Sequence, residues 1–412
     1  MSRRWSIFII ASAHFFLSQF YRSSNAVIAP QLIQDLTLDT QALGLMSASF
    51  FYAFALTQIP LSLLLDKIGA RRMMTGLSLL GIAGALIFSW SDSLGLGLVG
   101  RILLGIGMAC NLMGPLKLIS VWFAPLIFAT LSGVVFSIGT LGNIIATTPL
   151  VLLVEQMGWR HSFQFIAGIN LILTIMLYFI VRDKPGDMQF ESSETTDTAG
   201  FRTALANLKL LFKQRDYWII SFSTFVRYGV FAAFQSLWAG PYLIEVMGYS
   251  AINTGNLILL MNIGLLAGGP VWGIVSDRLF RTRKWIIVIS LIVLIAITFA
   301  FTKVPPGTGL TVLALLFFGF GFFSGGGLLM YPHIKDLMPA EMAGAAMTGI
   351  NFFTMIGPAV FLQGLGTLMQ ALYPQASRGS DAFIAAFQLC VVCMAAVAVL
   401  YIFTRDTGSN EK

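Results

Sequence analysis

The chain has 412 residues, of which 57% are hydrophobic and only 10% charged, with a mean hydropathy of +0.83 and a formal net charge of +7. About a quarter of the residues of a soluble globular protein are charged, so water is not the main solvent of this chain and a soluble enzyme is excluded. The 40 glycines and 14 prolines suit helices that approach closely and bend inside a bilayer.

Apolar stretches recur at about the 20 residues needed to cross a bilayer. They predict twelve spans, at 5–29, 43–65, 73–90, 95–121, 129–154, 163–181, 217–243, 252–275, 285–302, 310–332, 344–371 and 382–403. Arg3 and Arg4 before an apolar run mimic a secretory leader, and Ala11-Ser12-Ala13 mimics its cleavage site. The run is too short, however, and a polar stripe follows it, so an uncleaved first helix is expected. Residues 182–216 change character, through Pro185-Gly186 and a polar run from Glu191 to Asp197, and read as a cytoplasmic linker between bundles at 1–181 and 217–412. Within it, 203–213 is expected to form a short amphipathic helix on the membrane surface. Cys110, Cys390 and Cys393 all lie in apolar stretches and read as packing residues.

An even number of spans puts both termini on one side. Of the 25 Lys and Arg residues, Arg22, Arg101 and Arg227 fall inside spans, only Arg160, Lys303 and Arg378 fall on the far side, and the rest lie on the side of the termini. The positive-inside rule makes that side cytoplasmic, in an inner (plasma) membrane. At an offset of 211 residues, Pro30, Leu32, Ile33, Gly44 and Asp66 match Pro241, Leu243, Ile244, Gly255 and Asp277 without a gap. Six spans on each side of a linker and this match indicate a parallel duplication, with a substrate site between two bundles.

After the second span stands Ser62-x-Leu64-Leu65-Asp66-Lys67-Ile68-Gly69-Ala70-Arg71-Arg72, and after the eighth Gly273-x-x-Ser276-Asp277-Arg278-Leu279. An aspartate at a helix end can accept hydrogen bonds from the partially positive N-terminus of a neighbouring helix. Lys67, Arg71 and Arg72 can also be read simply as positive-inside charges. This duplicated loop resembles that of the major facilitator superfamily. The resemblance implies an all-α membrane protein with twelve transmembrane helices in two six-helix bundles. It also implies that Asp66, Lys67, Gly69, Arg71, Arg72, Asp277 and Arg278 latch the halves during conformational change. Arg101-x-x-x-Gly105-x-Gly107 resembles the family's second signature, an arginine buried in helix 4. A buried charge there lines a pathway or satisfies backbone carbonyls at a bend; both readings stay open.

His14, Ser18, Arg22 and Asn25 follow at spacings of four, four and three, one polar stripe on an apolar helix. Ser223, Arg227, Phe231, Phe234 and Trp238 form a second stripe on the seventh span. Such faces belong toward water or substrate, although Arg22 lies near enough to the outer interface to snorkel. The 18 carboxylates fall in loops or near helix ends, so the membrane interior is net positive and suits an anion gripped by guanidinium forks. Arg22 eight residues before Pro30, and Val226-Arg227-Tyr228-Gly229-Val230, resemble the organophosphate:phosphate antiporters and anion:cation symporters. The resemblance implies that Arg22 and Arg227 bind the substrate anion. Those antiporters also use a histidine in helix 5 and a lysine in helix 2. Neither has a counterpart at depth here, so a carboxylate is as good a candidate as a phosphate ester.

Gln235, Trp238 and Tyr331 are further candidate substrate residues, although lone amides in membranes are more often interhelical ties. His14 is the titratable group best placed for proton coupling, and exchange against a counter-anion is the alternative. The expectation is a monomeric secondary transporter, a symporter or antiporter, that takes up a small organic anion. Export of amphipathic compounds such as a drug or siderophore is the alternative. No cofactor, metal site or nucleic-acid partner is expected, membrane lipid being the other partner, and no phosphate-binding loop or nucleophile constellation points to an enzyme.

Overall fold

The computed structural model describes residues 3–184 and 210–406, which are helical without a strand. Most of the expected linker, and most of the amphipathic helix expected within it, lie outside the described residues. By contact, the described residues form two compact units. The first holds the residues up to 184 with Phe234–Leu259 and Leu362–Arg378; the second holds 210–233, Leu260–Phe361 and 379–406.

In the first unit the first span is broken, running Arg3–Ser23 and then Asn25–Leu36, and it ends on Thr37 with a left-handed φ of 49°. Asp39 accepts from the Ala42 N–H at 2.6 Å and starts the second span, Thr40–Ile68, as an N-capping carboxylate does. Gly69, with φ 87°, joins it to the third, Ala70–Ser89. The fourth is again broken, Leu94–Met108 and Met113–Trp122. The fifth runs from Pro125–Ile145 into a helix that continues to Ile180 and contains the sixth. The sequence led us to expect a loop between the fifth and sixth spans. The reversal instead occurs at Gly158 alone, whose φ of 75° and ψ of 161° only glycine adopts without strain.

The seventh span begins in the second unit as Arg215–Ala233 and continues in the first as two wide π-helical turns, Phe234–Trp238 and Tyr242–Val246, around Pro241. Proline has no N–H to continue the α-helical ladder, so the carbonyls before it find other partners. The eighth span, Ala251–Ile274, ends in a wide turn, Val275–Phe280. The ninth is Lys284–Phe301. The tenth runs Leu310–Gly325, tightens to a 3₁₀ turn over Gly326–Leu329, and resumes as Met330–Leu337. Ala340–Leu372 and Ser380–Ile402 complete the set. Grouped across their breaks, these segments make the twelve expected spans.

Lipid is as apolar as leucine, so close packing holds such helices together rather than escape from water. The third and fourth spans show how. Gly107 lies against the backbone of Gly81, and Gly100 against that of Phe88. Beside them, Ile7, Ile10, Leu61, Leu65, Met74, Leu118 and Leu177 form a buried cluster in the same unit. Nine helices among the described residues are long and apolar enough to cross a membrane. The first, second and seventh spans are not among them.

Candidate functional site

The polar stripe of the first span lies in the first unit. His14 is fully buried; its Nδ1 is 2.9 Å from the Ile10 carbonyl, one turn back, and its Nε2 is 3.5 Å from Thr174 Oγ1 on the sixth span. Ser18 donates to the Met108 carbonyl at 3.4 Å, and Gln58 Nε2 to the Ala109 carbonyl at 2.8 Å. Those carbonyls stand where the fourth span breaks, so side chains of the first and second spans donate to backbone acceptors at the break, where the Met108 carbonyl also accepts from the Asn111 N–H at 3.2 Å. Asn25 donates to Ser47 Oγ at 2.9 Å and Ser23 to Asn143 Oδ1 at 2.7 Å. Arg22 differs from its neighbours. It is only partly buried, and its Nε is enclosed with no hydrogen-bond partner among the described residues.

Arg101 is fully buried in the fourth span. Its Nη1 donates to the Tyr21 carbonyl at 3.0 Å, and its guanidinium carbon lies 5.0 Å from the Phe50 ring centre and 5.7 Å from that of Phe88. Tyr21 is at the break of the first span, where Ser24 Oγ also donates to the same carbonyl at 3.1 Å. Two rings and a released carbonyl thus surround the charge. Its Nε and Nη2 have no partner among the described residues.

Asp66 lies in the second span, but its side chain is outside the described residues. Among the described residues, the third span is reached by the carboxylate of Asp183, just past the sixth span. It accepts from the Arg71 backbone N–H at 2.8 Å and lies against Gly69, where a Cβ would overlap it. Arg71 Nε donates to the Tyr178 carbonyl at 2.8 Å, with its guanidinium 4.7 Å from the centre of the Tyr178 ring. Lys67 and Arg72 are exposed. Sequence reasoning passed over Asp183 because it lies outside the two matched loops at Asp66 and Asp277. The signal available was an acidic residue directly after a span, next to Pro185-Gly186.

Gln235 and Trp238 also belong to the first unit and are buried; Trp238 Nε1 donates to the Leu362 carbonyl at 3.2 Å.

In the second unit, Arg227 is 6% exposed and its Nη2 donates to the Ser324 carbonyl, with the Phe323 carbonyl at 3.4 Å. These carbonyls stand immediately before the tight turn of the tenth span. The guanidinium lies over Gly327, where a Cβ would overlap it, and its Nε has no partner among the described residues. Tyr331, one turn on, meets Asn351 Oδ1 at 3.1 Å and Thr354 Oγ1 at 3.0 Å on the eleventh span. Asp277 pairs with Arg283 Nη1 at 3.1 Å, while Arg283 Nε pairs with Asp336 at 2.5 Å; Arg278 is exposed. The second loop is thereby tied to the tenth span.

The two units share a plan. In the first, an arginine on span four donates to a carbonyl where span one breaks; in the second, an arginine on span seven donates to carbonyls where span ten breaks. Each of these carbonyls also has a donor from its own segment, Ser24 Oγ for Tyr21 and the Gly326 N–H for Phe323 and Ser324, and the arginine adds a charged one. Arg101 and Arg227 are thus tied to the bends, and among the described residues the Nε of Arg22 and that of Arg227 have no hydrogen-bond partner.

Residues 11–362 match the family model of the Major Facilitator Superfamily. The chain is 23% identical over 363 residues to a probable sulfoacetate transporter of Cupriavidus necator, covering 84% of each chain. It is 27% identical over 405 residues to the hexuronate transporter of Bacillus subtilis, covering 91% of this chain and 89% of that one. Among solved structures, a bacterial homologue of the human lysosomal transporter Spinster, inward-facing and unoccupied, superposes with a TM-score of 0.78 at 16% identity, over 97% of this chain and 96% of that one. The chain is a multi-pass membrane protein, and it belongs to the Major Facilitator Superfamily.

Proposed function

We propose that this transporter takes up a small organic anion bearing a carboxylate or an equivalent oxyanion, by alternating access, with Arg22 and Arg227 as its anion ligands. The observation that carries this reading is the enclosed guanidinium Nε of each arginine, which has no partner among the described residues, in a chain whose carboxylates are kept to loops and helix ends. A buried cation without a matching acid attracts an anion and repels a cation. Sulfoacetate and hexuronates, named for two relatives, have this chemistry. His14, bonded on one side to its own helix and close to Thr174 on the other, is a packed residue more than an exposed proton carrier, so exchange against a counter-anion is the simpler coupling. The charge bias of the loops supports cytoplasmic termini in a plasma membrane.

Counterflow into proteoliposomes tests the proposal, with D-glucuronate and sulfoacetate as labelled substrates. Arg22→Ala and Arg227→Ala are expected to abolish it while leaving the protein folded. Counterflow that survives either change at the native rate would remove that arginine from the site, and failure of both anions would reject the substrate class. Export is distinguished in cells: a deletion strain that accumulates an amphipathic compound, rather than failing to take up an anion, would favour it.

A further inference from the structure

The tenth span carries Gly325-Gly326-Gly327, and the three glycines meet different neighbours. Gly325 packs on the backbone of Gly268 and Gly269 and Gly326 on the Ser290 side chain, both ordinary close helix contacts. The three atoms nearest to a Cβ at Gly327 all belong to the guanidinium of Arg227. The same guanidinium donates to the carbonyls of Ser324 and Phe323, at the turn where the Gly326 N–H reaches back only three residues to Phe323. One charged group therefore fills a notch in the tenth span and adds a second donor to the Ser324 and Phe323 carbonyls, which also accept from the Gly326 N–H.

We propose that Gly327 is a positioning residue for transport: the notch made by its missing side chain parks Arg227 on the broken tenth span until an anionic substrate draws the guanidinium away. This rests on the reading of Arg227 as an anion ligand. A carboxylate offers two charged oxygens to parallel N–H groups, whereas the parked arginine has neutral carbonyls on one edge and an unpartnered Nε on the other. The substrate wins the exchange, and the tight turn then loses the charged donor on its Ser324 and Phe323 carbonyls, which keep only the Gly326 N–H. The bend of the tenth span is thereby set by whether the site is occupied. Parking also lowers the apparent affinity, because only the unparked fraction is ready to bind.

Full-length protein with Gly327→Ala, Arg227→Ala and both changes tests this by thermal unfolding, by calorimetric titration with D-glucuronate and sulfoacetate, and by counterflow. A methyl group in the notch is expected to expel the guanidinium, tightening Kd about three- to tenfold while lowering the maximal counterflow rate. Gly327→Ala is expected to lower the unfolding midpoint when Arg227 is present and to have little effect when it is alanine. Should Gly327→Ala alone fail to fold, rescue of folding by Arg227→Ala supports the same conclusion. Equal effects of Gly327→Ala in both backgrounds, or an unchanged Kd, would overturn the parking role and leave Arg227 as a ligand. Native binding by Arg227→Ala would instead reject Arg227 as a ligand.

Discussion

Asp183 accepts a hydrogen bond from the backbone N–H of Arg71 at 2.8 Å, which sets a carboxylate on the first turn of the third span. Four N–H groups at the start of any helix lack intrahelical partners, and their partial positive charge favours an anion. Asp183→Ala is expected to destabilise the protein by about 1–2 kcal/mol, read as a lower unfolding midpoint in detergent. Asp183→Asn retains an acceptor but no charge and is expected to recover part of the loss. If both variants unfold at the native midpoint, solvent at the loop replaces the carboxylate at no cost.

The number of spans was legible in the sequence because it follows from apolar run length. The breaks were not. Ser24 and the turn at Gly326–Leu329 are not prolines, and each bend is held by an arginine far away in the chain, Arg101 on Tyr21 and Arg227 on Ser324. Such long-range donors leave no local pattern. For the same reason the polar stripe of the first span read as a face for water or substrate, whereas Ser18 and Asn25 hydrogen-bond neighbouring spans and His14 bonds its own helix. A stripe at helical spacing reports which face is polar and not what satisfies it.

Arg101 makes one hydrogen bond and two ring contacts, and two of its nitrogens have no partner among the described residues. A charge so incompletely matched costs free energy to bury, and an apolar group of similar length avoids that cost. Lysine keeps the charge as a compact point that cannot span Phe50, Phe88 and the Tyr21 carbonyl together. Arg101→Lys is therefore expected to be the more harmful change, by about 1–3 kcal/mol, and Arg101→Met to cost about 1 kcal/mol or less. Thermal unfolding with counterflow separates the possibilities. A stable Arg101→Met protein without transport would assign the residue a conformational role, and lysine outperforming methionine would show that the charge itself is required.

Gly240 lies against the carbonyl of Ala26 within the first unit. That carbonyl lacks its usual helical partner because the residue four positions on is Pro30, which has no N–H. The proline and the glycine together let two backbones meet, with the glycine Cα–H at the released acceptor. Gly240→Ala is expected to cost about 1–3 kcal/mol by forcing the helices apart. Gly273, with nothing within 4 Å of where its Cβ would be, is the control: Gly273→Ala is expected to be neutral or stabilising by up to about 1 kcal/mol. Equal unfolding midpoints for the two variants would contradict the close approach.

The pattern Tyr178-x-x-x-Arg182-Asp183 after the sixth span recurs as Tyr401-x-x-x-Arg405-Asp406 after the twelfth, and the second copy also ties its chain end down. Arg405 Nε pairs with Asp216 at 2.6 Å, its backbone N–H reaches the same carboxylate at 3.3 Å, and its carbonyl lies 3.0 Å from His333 Nε2. His333 Nδ1 lies 2.7 Å from the Tyr401 hydroxyl. Nε2–H donating to the carbonyl leaves Nδ1 to accept from the hydroxyl, which suits a neutral imidazole. The ion pair is lopsided: the Asp216 side chain is 7% exposed and that of Arg405 is 64% exposed. Removal of the aspartate returns a solvated arginine to water, whereas removal of the arginine strands a buried carboxylate, relieved in part by its place in the first turn of the seventh span. Arg405→Ala is accordingly expected to cost about 1–3 kcal/mol, discounted for the solvent that screens the arginine, and Asp216→Asn about 1 kcal/mol or less. The double variant should recover most of what Arg405→Ala loses. An Arg405→Ala protein as stable as the native one would mean that the helix terminus and the backbone N–H alone suffice for Asp216.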